Sequence, residues 1–267
     1  MSYGIRYDLL SEDRIKSVLK SRFIPQKVYA FWSIGTTNDF AYRMAQQGDG
    51  DGTLVIAEKQ ERGRGRKSRT WDSPFLRGLW FSLILRPDLP SAKAGLIPYL
   101  AGVSVSEAVE SMLNIQPDMK WPNDLLINNK KFCGILSEVD FNNGKVNFIV
   151  LGIGINVNQL ASEWPKDIVK TATSLRLATE KKIDRAELLA EILLKLEENY
   201  EHAKIDGFEG ILRKWKKRCS KVRKEIVIQQ ENQRFQGKFV NIDEDGCLLL
   251  KYENGEIKKI FAGDILY

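Results

Sequence analysis

The stretch LLINNKKFCGILSEVDFNNGKVNFIVLGIGINVN, residues 125–158, reads as three consecutive strands joined by two short turns. Asn128-Asn129 and Asn142-Asn143-Gly144 supply residues that tolerate the backbone of tight hairpins, and the runs between them are apolar and β-branched. The expectation is an antiparallel meander of Leu125–Ile127, Lys131–Phe141 and Lys145–Asn158 at the centre of the molecule. Gly134 in the middle strand, and Gly152 and Gly154 in the third, stand where a strand prefers a side chain, which points to close approach of something to the backbone. Lys131 opens the middle strand. Taken alone it is equally a solvated lysine guarding a sheet edge or a functional cation.

Upstream, MKWPNDLL (residues 119–126) contains a Pro122-Asn123-Asp124 turn anchored by Trp121. It is either a plain turn or a place where an amide and a carboxylate meet a nucleotide or Mg²⁺. Before it, residues 94–113 have helical periodicity through Leu96, Leu100, Val103, Ala108 and Met112, with Pro98 in the first turn or at a kink. Two buried strands, Thr53–Ala57 and Leu79–Leu85, carry between them the loop QERGRGRKSRTW (Gln60–Trp71). Its cations repel one another and its glycines add backbone entropy, so it does not fold on itself. Arginine forks and glycine amides of this kind converge on phosphate or carboxylate. The loop is neither a GxxxxGK[ST] phosphate loop nor a three-glycine dinucleotide fingerprint. A solvated charged loop, or an arginine–glycine segment holding RNA non-specifically, explains the bare loop as well. Earlier still, a strand at Val28–Ser33 meets a helix at Thr36-Thr37-Asn38, where one residue caps and two stay free for a polar ligand. Ser11 caps a short helix reaching Phe23.

Downstream, residues 184–203 form an amphipathic helix, and Gly207 with the basic segment LRKWKKR marks a boundary. From residue 224 on, short strands alternate with Asp245-Gly246 and Asn254-Gly255 turns, the pattern of a small antiparallel barrel. The 267 residues, 43% hydrophobic, suffice for a large core. No apolar run reaches the roughly 20 residues of a membrane span, and the N-terminus is too polar for a signal peptide, so the expectation is a cytoplasmic protein. Cys133, Cys219 and Cys247 show no metal-binding spacing, and His202, the sole histidine, lies in a polar helical stretch, so thiol or serine catalysis through histidine is disfavoured. A net charge of +6 favours acidic partners without choosing among them.

Five motifs in this order resemble the biotin protein ligases, also called biotin-[acetyl-CoA-carboxylase] ligases: Thr36–Asn38, the GRGR of Gly63–Arg66 with Trp71, KWPND at Lys120–Asp124, the KxCGIL strand from Lys131, and GIGINVN from Gly152. The resemblance covers most of the chain. It implies an α+β fold, a central mixed or antiparallel sheet with helices of the class II synthetase kind over residues 1–219, and an SH3-like barrel over 220–267. It implies that biotin is activated by ATP with Mg²⁺ to biotinyl-5′-adenylate and passed to a lysine of a biotin carboxyl carrier protein. By the same resemblance Lys131 and Arg66 are catalytic. Thr36, Thr37, Asn38, Gln60, Gly63, Arg64, Gly65, Arg66, Lys131, Gly134 and Gly154 bind biotin; Arg64, Arg69, Trp71, Asn123, Lys131 and Asn156 bind ATP; Asp124 serves the metal. Thr36, Ser68 and Cys133 replace the serine, glycine and alanine frequent in the family. Some members carry an N-terminal DNA-binding domain, whose motif is not seen here, so no specific DNA binding and no membrane association are expected. A free sheet edge leaves a homodimer open. The competing readings are a lipoate or octanoyl protein ligase or transferase, which shares the catalytic architecture, and a non-catalytic nucleic-acid-binding module.

Overall fold

A computed structural model describes residues 8–166 and 168–266; residues 1–7, part of the N-terminus read above for a signal peptide, lie outside it. In chain order the elements are α1 (Glu12–Val18), β1 (Lys27–Phe31), α2 (Thr37–Gln46), β2 (Thr53–Ala57), β3 (Gly78–Leu85), α3 (Ile97–Leu113), β4 (Asp118–Lys120), β5 (Asp124–Ile127), β6 (Lys130–Asn142) and β7 (Lys145–Asn156). There follow α4 (Leu175–Thr179), α5 (Arg185–Asp206), α6 (Glu209–Arg218), β8 (Glu225–Gln230), β9 (Gln233–Ile242), β10 (Leu248–Lys251), β11 (Ile257–Ile260) and β12 (Asp264–Leu266).

The first seven strands make one mixed sheet in the order β1-β2-β3-β7-β6-β5-β4. Only β1 and β2 run parallel, with α2 as the crossover between them. The meander forms as its turns dictate: Asn128 and Asn129 both take positive φ (51° and 61°), as do Asn143 and Gly144. β2 and β3 are buried along their whole length, and their sequences are accordingly near-continuous apolar runs, broken only by Thr53 and Ser82, rather than alternating ones.

Strand parity decides which face is which. Ile149, Leu151, Ile153 and Ile155 of β7 point into the main core, with Leu100 and Val103 of α3 and Leu189 and Ile192 of α5. Phe148 and Val150 point the other way, under Ala41 and Ala45 of α2, with Val55 and Ile84 beside them. Along that second face the next positions of β7 are Gly152, Gly154 and Asn156, where the sheet is no longer covered by apolar side chains. Pro98 sits in the first turn of α3, as expected, while Met112 faces outward at 37% exposure because the helix end projects past the core. The hydroxyl of Ser11 caps α1, and the carboxylate of Asp184 accepts from the Ala186 and Glu187 amides at the start of α5.

The basic helix α6 is amphipathic. Trp215 packs edge-on against Tyr99 at 5.2 Å between centroids, and Lys214 and Arg218 pair with Glu107 and Glu110 of α3 at 3.0 and 2.8 Å. Part of its charge is thus spent on a neighbouring helix. A fully buried charged group, Arg185, bridges Glu58 after β2 (2.7 Å) and Asp8 (3.2 Å), while Glu58 also accepts the Leu10 amide.

Strands β8 to β12 form a five-stranded antiparallel sheet in the order β11-β10-β9-β8-β12, the SH3-like unit expected of the tail. Its Asp245-Gly246 turn seats on the larger unit through Lys93–Asp245 (2.8 Å) and the Tyr99 hydroxyl, which donates to the Gly246 carbonyl. One apolar cluster runs through both sheets, from Tyr99 and Trp121 to Phe239, Ile242 and Ile260.

Candidate functional site

A cavity of about 360 Å³ opens on the α2 face of the large sheet where its side chains run out. The floor is backbone. Gly134 of β6 pairs with Gly154 of β7, and Gly152 stands between Leu136 and Ser82 on the neighbouring strands. A Cβ on Gly152 would lie 2.1 Å from the Asn38 amide oxygen, and one on Gly154 would lie 2.4 Å from the Trp71 indole nitrogen. The floor glycines therefore let Asn38 and Trp71 lie flat on the strands.

At one end the Thr36–Asn38 turn makes a polar wall. Thr36 accepts from the Asp39 amide as the cap of α2. Thr37 and Asn38, expected to be free, are instead engaged. The Gln60 carboxamide oxygen accepts from the Thr37 amide (2.9 Å) and hydroxyl (3.2 Å), and its nitrogen donates to Ser73. The Ser82 hydroxyl lies 2.8 Å from the Thr37 hydroxyl and 2.6 Å from the Asn38 carbonyl, and the Asn38 amide donates to Glu138 at 2.7 Å. Burial compels this pairing, since an unpartnered polar group there costs about 1–3 kcal/mol.

The Gln60–Trp71 loop arches over the floor, slung between adjacent strands β2 and β3, and tightens into a single 3₁₀ turn at Arg66–Ser68. Arg64 pairs with Asp39 and, at 3.3 Å, with Glu138. Arg66 donates to the Asn123 carbonyl oxygen at 3.1 Å, and Asn123 in turn is held to Ile135 of β6 through its backbone carbonyl and side-chain amide. Trp71 closes the arch, its indole N–H buried without a protein partner and its ring 5.1 Å below the Lys131 ammonium. Lys131 pairs with Asp124 across the β5–β6 hairpin at 2.6 Å.

All the residues assigned to biotin, ATP or metal from the sequence line this one cavity except Gly63. Gly63 lies behind the loop, where a Cβ would come 2.3 Å from the Trp71 carbonyl; the loop's two arms require that glycine, not a ligand. Asn156 is at the rim, bonded to the Thr173 carbonyl and accepting from Gln159.

Several residues escaped the sequence reading. Trp164, with another buried unpartnered indole N–H, and Ile168, Thr171 and Ala172 supply an apolar wall. A tryptophan inside the polar stretch ASEWPKD serves no core periodicity, and that was the available signal. Lys120, in KWPND, also lines the cavity; burial pushes its ammonium below the usual lysine range, the Lys131 charge adds to this, and Asp124 opposes it. Burial raises the carboxyl of Asp72. Asp264, forty residues into the C-terminal unit, completes the rim beside Arg66, Lys67 and Arg69. Burial works against its ionisation, but the Lys67 hydrogen bond and the three cations outweigh that and hold its carboxyl below the ordinary range.

Five cations (Arg64, Arg66, Arg69, Lys120, Lys131) and three carboxylates (Asp72, Asp124, Asp264) line the cavity, so it has an excess of positive charge. The arrangement suits a ligand with anionic groups in the middle, a neutral polar head at the Thr36–Asn38 wall and an aromatic portion near Trp71 and Trp164. It does not make a metal cage. Among the described residues no three His, Cys, Asp or Glu side chains converge, and Asp124 is committed to Lys131. A Mg²⁺ would therefore come to the site with ATP rather than be held by this side-chain set.

Residues 31–156 match the Biotin/lipoate A/B protein ligase family, and residues 224–266 the Biotin protein ligase C terminal domain. The bifunctional ligase/repressor BirA of Bacillus spizizenii is 41% identical over 256 residues, covering 96% of this chain and 78% of that protein. Biotin–[acetyl-CoA-carboxylase] ligase of Paracoccus denitrificans is 28% identical, covering 81% of this chain and 90% of its own length. Among solved structures, the biotin protein ligase from Aquifex aeolicus in complex with biotin and ATP superposes with a TM-score of 0.76 at 33% identity, covering 90% of this chain and 98% of that one. On these matches the chain belongs to the biotin/lipoate A/B protein ligase family.

Proposed function

We propose that the chain is a biotin protein ligase, which joins biotin to AMP and then transfers it to a lysine of a carboxylase's biotin carrier domain. The observation that carries this reading is the convergence of Lys131, Arg66 and Arg64 over a side-chain-free floor, next to a wall of neutral amides and hydroxyls. The neutral wall suits a ureido ring, whose N–H donors and carbonyl acceptor need uncharged partners. The floor suits a flat ligand laid on the strands.

In the first step a biotin carboxylate oxygen bonds to the α-phosphorus of ATP as the bond to the bridging oxygen breaks, and pyrophosphate leaves with that electron pair. Two anions must be brought into line, so the chemistry asks for charge neutralisation and positioning rather than for an acid or base. Lys131 supplies the first, its ammonium held at the floor by Asp124. Arg66 supplies a planar fork whose N–H donors match phosphate and carboxylate oxygens. In the second step the carrier lysine's neutral amine attacks the acyl carbon, AMP departs, and the amine gives up a proton as the amide forms.

The site residues other than Gly63 and Asp124 act in this scheme as the resemblance implies, with Trp164 and Lys120 added to the nucleotide side. The carrier protein, a cytoplasmic setting and the absence of specific DNA recognition are parts of the same proposal; no helix among the described residues is long and apolar enough to cross a membrane. Incubating a biotin carrier domain with the protein, Mg-ATP and either biotin or lipoate, followed by intact-mass measurement, tests it. A biotin-sized gain is expected. No gain, or an equal gain from lipoate, overturns the reading.

A further inference from the structure

The loop that covers the cavity belongs to the large sheet, yet three of its cations are held by one carboxylate from the other unit. Asp264 opens β12, the edge strand whose backbone is fixed by pairing to β8. Its Oδ2 lies 2.8 Å from Arg69 and 3.2 Å from Lys67, and its Oδ1 lies 3.8 Å from Arg66. The carbonyl of Gly263 beside it lies 3.4 Å from the Arg66 guanidinium. The carboxylate is 21% exposed and Arg66 25%, so that pair is less screened than a surface one, whereas Lys67 and Arg69, at 40% and 69%, meet the carboxylate from the solvent side. Lys67 itself has φ of 55°, a conformation few residues adopt without support. The loop's 3₁₀ turn is therefore anchored at its tip from outside its own domain. Its root is anchored separately, by Gln60 to Thr37 and Ser73.

We propose that Asp264 is a positioning residue of the ligase site: it holds the Arg66–Arg69 turn over the cavity, so that the geometry of the nucleotide-side cations is set by the C-terminal unit. The catalytic part of this inference rests on the ligase reading, while its mechanical part does not. Without the carboxylate the barrel still folds and docks, because Tyr99, Lys93 and the shared apolar core hold it. Among the described residues the loop tip is then tied to the rest of the protein by the Arg66–Asn123 and Arg66–Gly263 hydrogen bonds, and the nucleotide meets cations that must be ordered at binding. That cost falls on substrate capture rather than on the bond-making step.

The test uses the full chain and the variant Asp264→Asn, which is isosteric and leaves every tryptic site in the loop unaltered. Limited trypsinolysis without substrates should cleave between residues 64 and 69 about tenfold faster than in the parent protein, the loss of a charge-assisted contact cluster. In the assay of biotinyl-adenylate formation KM for ATP should rise by about the same factor while kcat stays within about twofold. Asp264→Glu should restore most of both. Asp245→Asn removes a carboxylate that ties the same unit to Lys93 without touching the loop, and should change neither. Lys67→Gln, altered on the loop side, removes a tryptic site and so is read by KM for ATP alone, which should rise part of the way; it serves should Asp264→Asn fail to fold. Unchanged cleavage and KM in Asp264→Asn, or an equal effect from Asp245→Asn, would overturn the proposal. Failure of the parent protein to form biotinyl-adenylate would instead overturn the ligase reading and leave the proteolysis to judge the anchor.

Discussion

Lys131 stands at the start of β6 with an apolar neighbour on one side, the Trp71 ring beneath it and Asp124 as its ionic partner. A solvated lysine at a sheet edge would show none of this. Lys131→Ala is expected to cut adenylate formation by about 100-fold or more, the scale seen for one preorganised donor at a developing charge. The thermal midpoint should move by far less than the activity. Isotope exchange between pyrophosphate and ATP, set beside a melting curve, checks it; parallel losses would return the residue to a structural role. Residues of this kind were legible in the sequence because their surroundings made no sense otherwise: a lysine and three glycines in an apolar meander, a basic loop between two buried strands. Asp264 was not legible. It is an ordinary aspartate after a glycine, and its significance comes from a fold that brings it to a loop almost two hundred positions away. The freedom expected of Thr37 and Asn38 failed for a related reason, since Ser82 and Glu138 reach them from strands that local reading treats separately.

At the scale of elements, the large sheet and the tail strands followed from turns and apolar patterning, and most boundaries fell within a few residues; α1 ends at Val18, five residues short of the Phe23 its apolar spacing suggested. The elements missed were β4, α4 and β12, of 3, 5 and 3 residues, too short to carry a period. Their existence depends on partners: β4 on β5, and β12 on β8. Another link between elements is the buried Arg185, which joins the start of α5 to Glu58 at the end of β2 and to the segment before α1. Arg185→Met should cost about 3–5 kcal/mol, because Glu58 would be left as an uncompensated buried charge. The double variant Arg185→Met with Glu58→Leu should recover much of that loss. Chemical denaturation of the three proteins measures it, and a double variant less stable than the single one would contradict the argument.

For the whole molecule, the two units share a core but meet the loop through charge, which makes their union sensitive to acid. Asp264 and Asp243 both titrate below the ordinary aspartate range: burial opposes ionisation in each, and Lys67 and the arginines, or Lys259 with two backbone amides, overcome it. A carboxyl with a depressed folded pKa contributes stability that is complete above its unfolded value, near about 4, and is lost as pH falls through the folded value. The melting temperature should therefore hold between neutral pH and about 4 as far as these groups govern it, then drop more steeply in the parent protein than in Asp264→Asn. Equal slopes below that point would remove Asp264 from the account.

The backbone floor has a consequence for how the gene can change. Glycine is the only residue without a Cβ, so every replacement at 152 or 154 introduces an atom into space already held by Asn38 or Trp71, and one at 134 crowds Trp71 and Lys131 at 3.0 to 3.2 Å. Such positions have no conservative neighbours in sequence space, whatever the chemistry of the newcomer. Gly50, with open space around it and no positive φ, has many. A saturation library selected for biotin transfer should lose nearly all variants at the three floor positions and keep most of those at Gly50. The lineage would then be held to its ligand by what three codons are unable to become.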